Sequence, residues 1–153
     1  MKKLYWFFGL LVFVFTTGVQ AKDNLQVSDA WLPQAPPVAK VMAGYMKVNN
    51  PTKQDITIQS VSSPAFNSIE MHETVTENGV AKMIRQESLK VAAGKNKIFQ
   101  RGGLHLMMFK PKRPLKLDEA VTINLKTNVG MISIKAKVKQ AQLEDHSHHH
   151  HHH

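Results

Sequence analysis

The chain has 153 residues, 42% of them hydrophobic, with 20 Lys and Arg against 11 Asp and Glu, a formal charge of +9 at pH 7, and no cysteine. Without cysteine there is no disulfide, no thiolate-based blue-copper site and no residue to which a lipoprotein's acyl chains could be attached. The basic balance suits acidic partners, anionic membrane surfaces or simply a solvated face, but aromatics interleaved with Arg are missing, which argues against nucleic-acid binding.

Residues 1–21 read as a cleavable secretory signal. Lys2 and Lys3 form the charged start, Leu4 to Phe15 the apolar run, and Val19-Gln20-Ala21 the small-x-small cleavage site. The apolar run is shorter than the roughly 20 residues that cross a bilayer, so no stable membrane span is expected after cleavage. At the other end, His148–His153 is a run of six histidines and reads as a purification tag. Residues 143–147 are either vector sequence or the stump of a native His-bearing tail able to take Cu(II). Residues 22–142 are then one domain with no internal repeat. The mature chain, from residue 22 to the end, has a formal charge of +7, because Lys2 and Lys3 leave with the signal while all eleven acidic residues stay.

The domain reads as short strands separated by turn signals. LQVSDAWL (25–32) comes first, with Trp31 as a core anchor, and the three prolines of LPQAPPVAK then forbid central pairing. VMAGYMKVNN (41–50) alternates, with Met42 and Met46 inward, and ends at Asn50-Pro51. DITIQSVSS (55–63) places Ile56, Ile58 and Ser60 on one face.

Asn78-Gly79 is the strongest turn signal in the chain, since a type I′ hairpin turn needs positive φ at both central residues. It sets Glu77 opposite Val80 and Thr74 opposite Met83, with His72 diagonal to Met83. Ile69, Met71, Val75 and Ile84 then form the core side. KIFQ (97–100) leads through Gly102-Gly103 into LHLMMF (104–109). Alternation there turns Leu104, Leu106 and Met108 inward and His105, Met107 and Phe109 to the opposite face.

PKRPLKLDEA (111–120) is loop. VTINLK (121–126) and MISIKAKVK (131–139) alternate again, the latter with lysines outward, where they discourage edge pairing. Eight or nine short strands without a helical period indicate an all-β barrel or sandwich.

Two separate segments thus each present one His and one Met away from the core: His72 with Met83, and His105 with Met107. Thioether sulfur is soft and uncharged and selects Cu(I) over hard cations, imidazole suits copper as well, and zinc sites are built mostly from Cys, His and carboxylate. Singly, each residue has an ordinary reading: His72 a surface histidine, Met83 and Met107 core filler, His105 a structural histidine near a glycine turn. Met71 and Met108 read as packing. Glu70 and Glu73 flank His72 as solvated surface or as groups that orient its ring.

The spacing of the four is what binds them together: ten residues between His72 and Met83, twenty-one between Met83 and His105, one between His105 and Met107. In this the chain resembles the PCuAC family of periplasmic copper chaperones, marked by His or Met, ten residues, Met, twenty-one residues, His, any residue, Met. The resemblance extends to DAW (29–31), GYMKVNN (44–50), SSPAF (62–66), GGLHLMM (102–108) and PLKL (114–117), covering about residues 25–138. Arg101 departs from the pattern, which more often has Pro there.

The resemblance implies a cupredoxin-like Greek-key β-barrel that binds Cu(I) through His72, Met83, His105 and Met107. It also implies delivery of copper towards the CuA domain of cytochrome c oxidase, directly or with an Sco-type protein; the chain itself is expected to be a monomer. Copper sequestration for resistance uses the same site without a dedicated acceptor. A β-sandwich interaction module, with the His and Met positions incidental, is the reading from another class. No nucleophile–base set or carboxylate pair points to an enzyme.

Overall fold

Alternating hydrophobicity along the chain becomes strand after strand. The computed structural model describes residues 24–141, so the predicted signal at 1–21 and the tail at 143–153 lie outside the described residues. Ten strands follow one another: β1 (Gln26–Pro33), β2 (Val41–Asn49), β3 (Ile56–Ser62), β4 (Phe66–Glu77), β5 (Val80–Gln86), β6 (Leu89–Val91), β7 (Asn96–Phe99), β8 (Leu104–Pro111), β9 (Ala120–Thr127) and β10 (Gly130–Lys139).

Seven of them form a ring in the order β4-β8-β2-β1-β10-β9-β3, closed where Val61 of β3 pairs with Ile69 of β4. All the pairings are antiparallel except β1 with β10, which is parallel with Trp31 opposite Lys137. β5, β6 and β7 hang on the ring at β4, β3 and β2. Closure leaves few unpaired edges, and β5 provides one of them.

The inward faces fill the barrel with Leu32, Met46, Val48, Ile56, Ile58, Leu106, Met108, Ile123, Leu125 and Val138, each nearly or wholly inaccessible. Met42 and Met71 join them, so these two and Met46 and Met108 are packing residues. One close approach sets the spacing under the candidate donors. Gly44 of β2 pairs with Leu106 of β8, and a Cβ on Gly44 would lie 3.0 Å from Met108 Sδ and 3.3 Å from Leu106 Cβ. A side chain on residue 44 would crowd β8 at this point, so that Met108 or Leu106 would have to give way.

Three expectations need correction. β5 ends at Gln86, and Leu89–Val91 turns back to pair with β3, because Leu89 and Val91 bury against the core while β5 extends beyond it. For the same reason Ile84 is not on the core: it pairs with Glu73 and is 44% exposed. Ser60 does not share the inward face of Ile56 and Ile58. A bulge between Ile58 and Ser60 shifts the register and puts Val61 inside instead. Trp31 is half-buried rather than a core anchor; it leans on Tyr45, with ring centroids 4.9 Å apart, and lies under the ammonium of Lys139.

The long loop after β8 is tied down by charge. Arg113 forms a two-pronged contact with the Glu119 carboxylate, which also accepts the Lys116 N–H. The Arg113 hydrogen bonds, and then that backbone N–H, hold the Glu119 carboxyl down to about 2.

Candidate metal centre

The hairpin turn is built as its chemistry requires. Asn78 and Gly79 adopt φ of +52° and +78°, and Thr74 lies opposite Met83 with Glu77 opposite Val80. On the other side of β4 the register brings His72 opposite His105 and Glu70 opposite Met107. The two imidazoles therefore face each other across one strand pair, ring centroids 6.2 Å apart and tilted by 38°. Directly opposed residues have Cβ atoms about 4.5–5.5 Å apart, near enough for two short side chains to meet. Met107, two residues beyond His105, shares its face, and Met83 stands diagonal to His72 on the far side of β4.

A cleft of about 260 Å³ opens on this face. Met83, His105 and Met107 line it together with Val41, Ala43 and Tyr45 of β2, Thr74, and the turn at Arg101 and Gly102. Three of the four predicted residues thus share one cavity wall. His72 is not on that wall but stands beside His105, its side chain 14% exposed.

Exposure differs sharply among the four. Met83 is 64% exposed at the rim, whereas His105 is only 7% exposed. The four do not share one exposed edge, because β8, which carries His105, is flanked by β4 on one side and β2 on the other.

Hydrogen bonds hold both rings. His105 Nδ1 lies 2.8 Å from the Gly103 carbonyl, which also accepts the Thr74 N–H at 3.1 Å. His72 Nε2 lies 2.8 Å from Glu70 Oε2, and the other oxygen of Glu70 accepts from Arg85 Nη1 at 2.9 Å. The remaining nitrogen of His72, Nδ1, is buried and has no hydrogen-bond partner. Buried polar atoms are nearly always satisfied, so an orphan nitrogen on a ring next to a second imidazole has the chemistry of a vacant ligand. The donors on offer are neutral and soft, as monovalent copper prefers. Among the described residues no group of three or more His, Cys, Asp or Glu could hold a metal ion, so any ion here must draw on the methionine sulfurs.

Sequence reasoning undervalued Glu70, read first as solvated surface. Its position two residues before His72 on a strand put it on the same face, and that was the available signal. Neither the Gly103 carbonyl nor Tyr45 carried any signal, since each reaches the site only through folding.

The barrel has the cupredoxin-like fold of PCuAC domains. The profile of the family described as "Putative lipoprotein LpqE-like" matches residues 25–143, and the chain belongs to that LpqE-like family, which is of PCuAC type. A Leifsonia xyli subsp. xyli protein carrying the same kind of lipoprotein name is 32% identical over 119 residues, which span 77% of this chain and 70% of that one. The solution structure of CuI-DR1885 from Deinococcus radiodurans is 31% identical, with a TM-score of 0.59 over 81% of this chain and 83% of that one. The copper-bound PCuAC domain from PmoF2, at 18% identity, shows the same fold with a TM-score of 0.65 over 76% and 93% of the two chains.

Proposed function

We propose that this protein is an exported, periplasmic Cu(I) carrier. It holds one ion through His72, Met83, His105 and Met107 and passes it towards the CuA domain of cytochrome c oxidase, directly or through an Sco-type protein. The observation that carries the reading is the buried, partnerless Nδ1 of His72, on a ring 6.2 Å from that of His105, in a strand register that adds two thioethers to the same face. Copper in the related DR1885 and PmoF2 structures supports it. The lipoprotein names of relatives, with the charged and apolar start of this chain, support export.

The donor set suits carriage rather than turnover. A carrier must let an acceptor's ligands replace its own one at a time, and neutral thioethers leave more readily than thiolates. Met83 at the rim is the ligand an incoming thiolate meets first.

Competition titration with a Cu(I) chelator tests the site: one equivalent should bind to the parent chain, and binding should weaken in both His105→Ala and Met83→Ala. Unchanged affinity in both variants would discard the assignment. Mixing the loaded protein with an apo CuA domain or an Sco-type protein tests delivery. Copper that stays behind would point to sequestration instead.

A further inference from the structure

His72 and His105 face one another, yet opposite nitrogens of the two rings are tied down. On His72 it is Nε2, held by Glu70 Oε2; on His105 it is Nδ1, held by the Gly103 carbonyl. A carboxylate and a carbonyl can only accept, so in a neutral imidazole each tied nitrogen carries the ring's one proton. The lone pair is then left on Nδ1 in His72 and on Nε2 in His105. A proton on Nδ1 of His72 would instead be a buried donor with no acceptor, the costlier arrangement. Glu70 is itself fixed, with Arg85 Nη1 on its other oxygen and Glu87 on the Nε side of the same guanidinium.

We infer that Glu70 is the positioning residue of this centre: by holding the His72 proton on Nε2 it presents Nδ1 as the metal-binding nitrogen, so that the two histidines bind through unlike nitrogens. The inference rests on the copper reading above, but it concerns a property of the apo protein. A carboxylate behind a ligating imidazole fixes the tautomer and orientation of the ring and raises its basicity. Here one such partner is a side chain, which substitution can remove, and the other is backbone, which it cannot. Arg85 extends the arrangement to β5, the strand that carries Met83, so that the ring on β4 and the hairpin arm are held by the same carboxylate.

Long-range proton–nitrogen correlation spectra of the apo chain at mildly alkaline pH test this without copper. His72 should show the Nε2–H form and His105 the Nδ1–H form, with Glu70→Ala altering the His72 pattern and leaving that of His105 in place. Cu(I) affinity should fall roughly 10–100-fold in Glu70→Ala, the range for loss of a group behind a metal ligand. Glu70→Gln, which keeps an acceptor oxygen, should recover part of both signals. Finding His72 as the Nδ1–H form in the parent chain would overturn the inference, as would a Glu70→Ala protein whose ring pattern and affinity match the parent. A parent chain that binds no Cu(I) yet shows the expected tautomers would instead count against the copper reading and leave the role of Glu70 in the ring standing.

Discussion

His105 and Met107 stand on a strand with neighbours on both sides, whereas Met83 stands on one with a neighbour on only one side. β8 is paired with β4 and β2, and its inward residues Leu106 and Met108 are wholly buried. β5 pairs with β4 alone, and almost every one of its residues is exposed. The candidate site therefore has a fixed half, set by the barrel, and a rim half, set by a hairpin. The lesson is that one centre can combine rigidity and access by drawing its donors from an interior strand and an edge strand. On the proposed reading, the fixed half would orient donors before an ion arrives, and the rim half would give an acceptor somewhere to begin.

The harshest way to break that contrast is to force β2 and β8 apart. Gly44→Val places a branched side chain against Met108 Sδ and Leu106 Cβ, and it should cost about 1–3 kcal/mol or more, the usual range for overpacking. Chemical denaturation reads the loss, and copper binding should weaken with it because Met107 follows Leu106 on the displaced strand.

Next comes removal of a fixed donor. His105→Ala should lower Cu(I) affinity by at least the roughly 10–100-fold seen when only a supporting group is lost. Met83→Ala should lower it less. Chelator competition on the two variants, side by side, tests the division directly, and equal losses would abolish it.

The turn offers a subtler route. Gly79 has φ of +78°, and Gly79→Val should destabilise the hairpin by about 1–2 kcal/mol, the cost of a branched residue in the left-handed region. Cross-strand amide contacts between Thr74 and Met83 should fade while those between His72 and His105 persist. Loss of both sets would show that the two halves are not separable.

Met83→Ala should also leave stability within about 0.5 kcal/mol of the parent, as expected of an exposed position.

The smallest effect serves as a control far from the cleft. The Glu119 carboxyl titrates near 2 in the folded chain against an ordinary 4.5. A depressed folded value means its contribution is complete above 4.5 and fades as pH falls from there towards 2. Glu119→Gln should remove that part of the acid sensitivity, seen in denaturation at several pH values, and leave copper binding at neutral pH unchanged.

What could be read in advance follows the range of the interaction involved. The hairpin register, with Thr74 opposite Met83, came from two turn residues whose dihedrals are a local matter. The outward faces of His105 and Met107 came from alternation along one strand, which is also local. The partner of β8 was not legible, because nothing in LHLMMF says whether β4, β2 or both will pair with it. The closure at Val61 and Ile69 and the parallel pairing of β1 with β10 join residues distant in the chain and carry no local sign. The bulges at Ser28–Trp31 and Ile58–Ser60 escaped for another reason: each spoils a period-two pattern that composition alone would continue.

The order of residues alone determined which side chains can be soft donors, how far apart they lie along the chain, and which face of its own strand each occupies, since all three depend on chemistry and a two-residue repeat. Only the folded barrel decided that His72 meets His105, that β8 lies inside rather than at an edge, and that Glu70 and the Gly103 carbonyl grip opposite nitrogens. Those outcomes depend on pairings between strands far apart in sequence, and such pairings are selected by how the whole set of apolar faces can be buried at once.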